Sequence, residues 1–485
     1  MKVLLVYPVP PRSVWPRGIF RSHWVPSGLA YLSTALCKGG HEVRVIHREE
    51  NLEAVGFDWE KAEARLRALL AEYCPEMVGV SAVTPMIPET ELIAIWAKEI
   101  CGQDVIVVAG GPHPTALPER TLADCPAIDV AVVGEAEQTI VELADHGPRE
   151  DISGIVLRQD GGFFHATPRK AIRDLDSLGA PDYNKFNMDY HLRPSRWLLR
   201  WIEQPGLNIS TSRGCTNCCA FCAGHLVSGL GVRLHSVEYV LERLKEADRL
   251  GAKLILFDDD TLAVTDRRVL EICEAIKSAD LHRRLQWQCC LRADQVEAKI
   301  LEQMKSAGCI QIEYGFESGS DPVLQRINKN TSTELNRRAV RLTREAGLRI
   351  YANIMAGLPG ETREDFKATM GFIHWAKPDI ISAACLLPLP GTQVYSGLSE
   401  KQRDSLQWAD FTYTDTPAGG LNLTAMTDDE FRQSYREFFK YYVRPGIDFQ
   451  MLRDTPADHH EERRRLRKKV LRFALRHPVR ASRLR

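Results

Sequence analysis

Residues 213–224 read Arg-Gly-Cys-Thr-Asn-Cys-Cys-Ala-Phe-Cys-Ala-Gly, and the cysteines at 215, 219 and 222 decide how the rest of the chain is read. Three residues and then two separate Cys215, Cys219 and Cys222, a spacing that lets one tight loop direct three thiolates at a single cluster. A [4Fe–4S] cluster has four irons, so three protein ligands leave one iron without a cysteine. That iron can take a chelating small molecule, as the open position of a catalytic zinc does. Gly214 frees the turn ahead of the first ligand, and Phe221 can shield the cluster from water. Cys218 offers a four-thiolate zinc site as the alternative. Adjacent Cys218 and Cys219 side chains are awkward partners on one tetrahedral ion, so Cys218 is read as a spare thiol.

Downstream, from Ser236 to Pro378, helix-like segments alternate with short apolar strands. The expected strands are Lys253–Phe257, Leu285–Cys289, Ile310–Phe316, Arg349–Ala356 and Ile380–Leu387. Helices are expected over Val237–Asp248, Arg267–Ser278, Val296–Ser306, Thr331–Ala346 and Glu364–Trp375. Such alternation predicts a complete or partial β/α barrel, whose active site lies beyond the strand C-termini. Polar groups gather there: Asp258, Asp259, Asp260, Arg292, Glu317, Ser318 and the Gly-Leu-Pro-Gly-Glu run of 357–361. Glu317 suits an amino or ribose group, and Gly357 and Gly360 leave room for a flat ligand. Each of these residues also suits a helix cap or a charge-balancing role. Cys289, Cys290 and Cys309 lack tight ligand spacing, so no second cluster is expected.

Upstream, strands are expected at Val3–Tyr7, Val43–Ile46, Met77–Val80, Val105–Val108 and Val130–Val133, with helices that include Gly28–Leu36 and Glu89–Ile100. This order predicts a parallel sheet covered on both faces, with its ligand crevice past the strand C-termini. Ser81 and Thr84, Gly110 and Gly111, and Gly134 and Glu135 fall at those ends. The glycines suit either close backbone approach to a ligand or a simple turn. No dinucleotide or phosphate-loop fingerprint occurs here. A small hairpin is expected around Asp160–Gly162, within a proline-containing transition of residues 151–205.

At 485 residues, two or three domains are expected. The formal net charge of -1 gives no global basic field for specific nucleic-acid binding. The 13 cysteines are odd in number and cluster around residues 215–222, which points to a metal site in a reducing cytoplasm, not to disulfides. The opening apolar run stops at Pro8, too soon for a signal peptide or a membrane span.

Taken together, the chain resembles the cobalamin-binding-domain subgroup of radical S-adenosylmethionine (SAM) enzymes along nearly its whole length. The cysteine loop carries the resemblance. Phe-Asp-Asp-Asp from 257, Leu-Arg-Ala-Asp from 291, Tyr-Gly-Phe-Glu-Ser-Gly-Ser from 314, Gly-Leu-Pro-Gly-Glu-Thr from 357 and Pro-Leu-Pro-Gly-Thr from 388 support it. So do Pro-Ser-Gly-Leu-Ala-Tyr-Leu from 26, Gly-Gly-Pro-His-Pro-Thr from 110 and Val-Val-Gly-Glu-Ala-Glu from 132. The resemblance implies an α/β chain with four parts. A Rossmann-like cobalamin-binding domain spans 1–150, a connecting segment 151–205, a partial TIM-like radical SAM barrel 206–395, and a mainly helical region with a basic tail 396–485.

It further implies that Cys215, Cys219 and Cys222 ligate a [4Fe–4S] cluster whose open iron binds S-adenosylmethionine. Phe221, Asp259, Glu317, Ser318, Gly357 and Gly360 would seat that cofactor, and Ser81, Thr84, Gly110, Gly111, Gly134 and Glu135 would contact cobalamin. No catalytic side chain is singled out. The implied reaction begins with a 5′-deoxyadenosyl radical and leads to methyl transfer onto an unactivated carbon of a small-molecule substrate. An external electron donor such as flavodoxin or ferredoxin would drive it. A radical dehydratase, epimerase or ring-forming enzyme of sugar or natural-product biosynthesis, with or without bound cobalamin, is the alternative, and a non-catalytic iron–sulfur or zinc scaffold is the other. The Asp-x-His-x-x-Gly motif of many cobalamin proteins is missing: Asp189-Tyr-His191 continues to Pro194 where glycine is required.

Thr424–Tyr442 reads as a helix that either packs on the barrel or covers its mouth. The basic end from Arg463 suits an anionic membrane surface, a protein partner or plain solvent exposure.

Overall fold

The computed structural model describes residues 1–13, 23–194, 204–262, 265–412 and 420–438, together with the isolated positions 464, 467, 468, 470 and 471. Two sheets organise it. The first has seven strands: β1 (Lys2–Tyr7), β2 (Glu42–His47), β3 (Met77–Ser81), β4 (Ile106–Gly110), β5 (Val130–Val132), β6 (Ile155–Gln159) and β7 (Gly162–His165). Their spatial order is β2-β1-β3-β4-β5-β6-β7. The first five are parallel, and β6 and β7 add an antiparallel edge. The expected hairpin therefore adds β6 and β7 to the edge of the first sheet.

The strands of this sheet are nearly continuous apolar runs because helices cover both faces. Leu4, Val78, Val80 and Val107 belong to one buried cluster and Val3, Leu5, Val108 and Val130 to the other. Helix Trp59–Tyr73, which crosses between β2 and β3, was not among the expected elements. Its Asp58 cap accepts from Lys61 N, and Leu66, Leu70 and Tyr73 form its buried stripe. The chain reverses its direction of travel across the sheet between β1 and β3, which makes their C-terminal ends the natural ligand crevice.

The second sheet joins β8 (Gly206–Ile209), β11 (Leu254–Phe257), β12 (Gln286–Leu291), β13 (Cys309–Glu317), β14 (Arg349–Ala356) and β15 (Ile380–Cys385). These six parallel strands lie side by side in chain order, and β8 and β15 are its two edges, so the barrel is partial. The ribbon β9 (Ser212–Arg213) and β10 (Arg233–Leu234) brackets the cysteine loop between β8 and β11. Side-chain caps start the outer helices: Ser236, Thr265 and Ser332 accept from backbone three residues on, and Thr362 with Asp365 forms a capping box.

The C-terminal helix is described over Asp428–Phe438, shorter than expected, and Tyr442 lies outside the described residues. Phe431, Tyr435 and Phe438 are buried in the barrel's own hydrophobic cluster. That places them as packing residues. The basic tail from Arg463 lies outside the described residues apart from the isolated positions given above. No helix among the described residues is long and apolar enough to cross a membrane.

Candidate active site

The cysteine loop is fixed at both ends. Behind it, Asp259 Oδ1 accepts from Thr211 N at 2.8 Å, Thr211 Oγ1 at 3.2 Å and Ser212 Oγ at 2.6 Å. Asp258 accepts from Ser210 Oγ and, at 3.0 Å, from Asn208 Nδ2. These bonds tie the polar residues after β8 to the end of β11. Gly214 then turns at φ +92°, where a Cβ would stand 2.3 Å from Gly231 O, and Cys215 O accepts from Gly231 N at 3.1 Å. Ala220 N donates to Ile327 O at 2.9 Å and Val394 N to Ala220 O at 3.0 Å, which fastens the loop's second half to the barrel.

Cys219 is buried, Cys215 and Cys222 are half-buried, and Cys218 is exposed. Burial pushes the Cys219 thiol up, while the charges of Lys329 and Arg292 pull against it. Burial also raises Cys222, opposed by the Gly224 N–H that meets its Sγ at 3.3 Å. Among the described residues, no three Cys, His, Asp or Glu side chains converge on a single metal ion. Three soft, sheltered donors on one loop suit a cubane, which takes each thiolate on a different iron. The residues fit the cluster.

Of the residues expected to seat S-adenosylmethionine, Phe221 lies on this loop and Glu317 beside it. Lys329 Nζ stands 2.8 Å from Glu317 Oε1 and 5.8 Å from the centre of the Phe221 ring. Glu317 holds a left-handed φ of +61°, uncommon for a non-glycine residue and costly unless the surroundings impose it. Gly315 makes the fold-back feasible, since a Cβ there would stand 2.4 Å from Glu317 Oε1 and 2.8 Å from Lys329 Nζ.

Four of the expected seating residues are bonded or packed within the fold, and of these Asp259 also lines the space between the two sheets. Ser318 is fully buried; its hydroxyl pairs with Thr369 Oγ1 at 3.0 Å and accepts from Ser320 N, so it locks the loop after β13 to a helix. The space above Gly357 is taken by the Phe431 ring, 2.9 Å from where a Cβ would stand. Gly360 has the Arg326 guanidinium at 3.4 Å and donates to Leu423 O at 2.8 Å. Asp259 braces Thr211 and Ser212 through one oxygen, and its Oδ2 is buried without a hydrogen bond among the described residues. Burial pushes that carboxyl up to about 7.

A cavity of about 350 Å³ lies between the two sheets, bounded by the C-terminal ends of β1, β3 and β4 and by Arg213, Gly214 and Gly224, which flank the cysteine loop. Ser81, Gly110, Gly111 and Gly134 line it, as does Gly28, which was expected only as the start of a helix. A Cβ at Gly28 would meet nothing within 4 Å, and one at Gly110 or Gly134 would meet its first atom at 3.8 or 3.9 Å. Gly111 serves the turn instead: at φ +107°, a Cβ would stand 2.9 Å from Ala82 O. Thr84 is not in the lining; its hydroxyl pairs with His113 Nδ1 at 3.1 Å. No histidine is among the described lining residues, and His191 sits elsewhere, packed edge-on to His47. A glycine-floored crevice at a strand crossover fits a broad, flat macrocycle approached by backbone.

Glu135 also reaches the cavity, but its carboxylate is bound by Arg213, Arg233 and the Ile172 N–H. Burial raises Glu135 and the two guanidinium groups outweigh it, so the carboxyl is held below its ordinary range. Arg213, Arg233 and Lys329 were absent from the expected site. A lone basic residue carries no periodic signal, and its partner is fixed only by the fold.

A model of the Radical SAM superfamily matches residues 209–373, and a model of the B12 binding domain matches residues 19–144. An uncharacterized methyltransferase of Pyrococcus horikoshii is 29% identical over 454 residues, covering 92% of this chain and 94% of that protein. An anaerobic magnesium-protoporphyrin IX monomethyl ester cyclase of Rubrivivax gelatinosus is 26% identical over 432 residues, covering 86% and 74%. The structure of the cobalamin-dependent S-adenosylmethionine radical enzyme OxsB, with aqua-cobalamin and S-adenosylmethionine bound, shares the fold. Its TM-score is 0.69 at 17% identity, covering 100% of this chain and 71% of that one. The two family models fall on the partial barrel and on the crevice-bearing sheet, so the chain carries a B12 binding domain ahead of a radical SAM domain.

Proposed function

We propose that this protein is a cobalamin-dependent radical SAM methyltransferase acting on an unactivated carbon of a small-molecule intermediate. The observation that carries this reading is the cavity itself, whose one wall is the glycine-lined crevice and whose other wall includes Arg213, Gly214 and Gly224, the residues that flank the cysteine loop on either side. When bound, the cluster with S-adenosylmethionine supplies a hydrogen-abstracting radical, and the corrinoid supplies a methyl group. The chain's part is to hold and orient these groups and to exclude water. Cys215, Cys219 and Cys222 would ligate the cluster, and Glu317 with Lys329 would meet the charged ends of an amino acid. The glycines at 28, 110 and 134 would let backbone approach the macrocycle, and Phe221 would screen the loop. An electron-transfer protein of the flavodoxin or ferredoxin kind would deliver the reducing electron.

The similarity to an uncharacterized methyltransferase over 92% of the chain supports methyl transfer. The similarity to a ring-closing enzyme, at 26% identity, favours ring formation as the second reading. One experiment separates them. Anaerobically purified protein is assayed for corrinoid, then supplied with candidate substrates and S-adenosylmethionine labelled in its methyl group. Methyl transfer predicts about one corrinoid per chain and a labelled, mass-shifted product beside 5′-deoxyadenosine. Turnover without label in the product overturns the methyltransferase reading.

A further inference from the structure

Glu135 stands just past β5 in the corrinoid-type sheet, and Arg213 stands two residues ahead of Cys215 in the barrel. Arg213 spans the junction with both prongs, donating from Nη1 to Glu135 Oε1 at 2.8 Å and from Nη2 to Glu137 Oε1 at 2.6 Å. Arg233, its direct partner across the β9–β10 ribbon, donates to the two oxygens of Glu135 at 2.8 and 2.9 Å. It also reaches Ile172 O at 2.6 Å and Ser228 O at 2.9 Å. Two guanidinium groups thus face two carboxylates whose side chains are 4% and 7% exposed. A two-pronged arginine fixes angle as well as distance, which a lysine cannot do.

The same guanidinium lies 5.2 Å over the ring of Tyr31, and Tyr31, Glu135, Glu137, Arg213 and Gly214 all belong to the cavity wall. Tyr31 is held in turn by Tyr239, hydroxyl to hydroxyl at 2.9 Å. Any tilt of the first sheet against the barrel therefore pulls on Arg213, and through the constrained turn at Gly214 it pulls on Cys215.

We infer that Glu135, Glu137 and Arg213 are positioning residues that set the separation and orientation between the corrinoid crevice and the cluster loop. This inference rests on the proposed function, because it assigns a distance between the two cofactors that reading places in the protein. A stability role alone would move the melting temperature, whereas a positioning role moves the geometry between the cofactors at unchanged cofactor content.

The test uses the full-length holoenzyme with the cluster reduced and the corrinoid in its paramagnetic cob(II) state, and measures their separation by pulsed electron paramagnetic resonance. The wild type should give one narrow distance distribution. Arg213→Lys keeps the charge but cannot bridge both glutamates, and should broaden and shift that distribution while iron and corrinoid contents hold. Arg213→Met combined with Glu137→Gln is charge-balanced and leaves the Arg233–Glu135 pair intact, so it serves as the second variant and should lose the narrow peak as well. A wild-type-like narrow distribution in either loaded variant overturns the inference and leaves the proposed function standing. A reconstituted wild type that takes up no corrinoid overturns the proposed function and the inference with it.

Discussion

Lys329 and Glu317 form an ion pair at 2.8 Å with side chains only 12% and 8% exposed, one residue on an irregular stretch and the other at the end of β13. A pair of opposite charges beside the cluster loop matches a zwitterionic amino acid, offering an acceptor to its ammonium and a donor to its carboxylate. Glu317→Gln should weaken S-adenosylmethionine binding by roughly tenfold to a hundredfold, the worth of a hydrogen bond to a charged group. Iron content should not change. Lys329→Met should weaken binding similarly and leave Glu317 without its cation. Unchanged affinity by calorimetry in both variants would remove the pair from the site.

Cluster assembly should follow burial as well as spacing. Cys215→Ala, Cys219→Ala and Cys222→Ala should each abolish the [4Fe–4S] absorbance and reductive cleavage of S-adenosylmethionine after anaerobic reconstitution. Cys218 is exposed, and Cys218→Ala should retain both. A full cluster in Cys219→Ala protein, measured by iron and sulfide content, would refute the ligand set.

The cysteine loop could be read from the sequence because thiolate spacing is dictated by local covalent reach. The strands β11 to β15 could be read because short apolar segments alternate regularly with amphipathic helices, the local pattern of a parallel barrel. The partners of polar residues were not legible. Glu135 in a Gly-Glu-Ala-Glu run looks the same whether it faces a ligand or Arg213, which is 78 positions further along the chain. Ser318 is committed to Thr369, and the room over Gly357 is filled by Phe431 from the C-terminal helix. These are tertiary contacts, and no window of sequence contains them.

Glu361 gives the protein a pH dependence. It is buried, its Oε2 accepts from Gly357 N at 2.9 Å, and its Oε1 has no hydrogen bond among the described residues. Burial pushes its carboxyl up to about 7 from an ordinary value of 4.5. Between those values the folded chain holds a proton that the unfolded chain has released, so stability falls as pH rises through this window. The contribution is complete below pH 4.5, is lost above about 7, and is on the order of 3 kcal/mol. Glu361→Gln should flatten this part of the stability profile in denaturant titrations at a series of pH values. An unaltered slope would assign it to another group such as Asp259.

Gly28 offers the most direct test of what fills the crevice. It lies in the first turn of helix Ser27–Lys38 and lines the cavity, with no atom within 4 Å of a Cβ built on it. Its backbone needs no left-handed conformation, so larger side chains are tolerated by the fold itself. Gly28→Ala adds one methyl group and should stabilise the helix by up to about 1 kcal/mol, with corrinoid retained. Gly28→Phe projects a ring into the crevice where the macrocycle would lie. It should lose corrinoid by absorbance while iron content and melting temperature stay near wild type. The barrel would still bind S-adenosylmethionine, because Cys215, Cys219, Cys222, Glu317 and Lys329 are untouched. Loss of methyl transfer with residual 5′-deoxyadenosine formation is the expected pattern, since only one of the two cofactor sites is blocked. Full corrinoid occupancy in Gly28→Phe protein would mean that the macrocycle binds elsewhere, and the crevice would need another ligand.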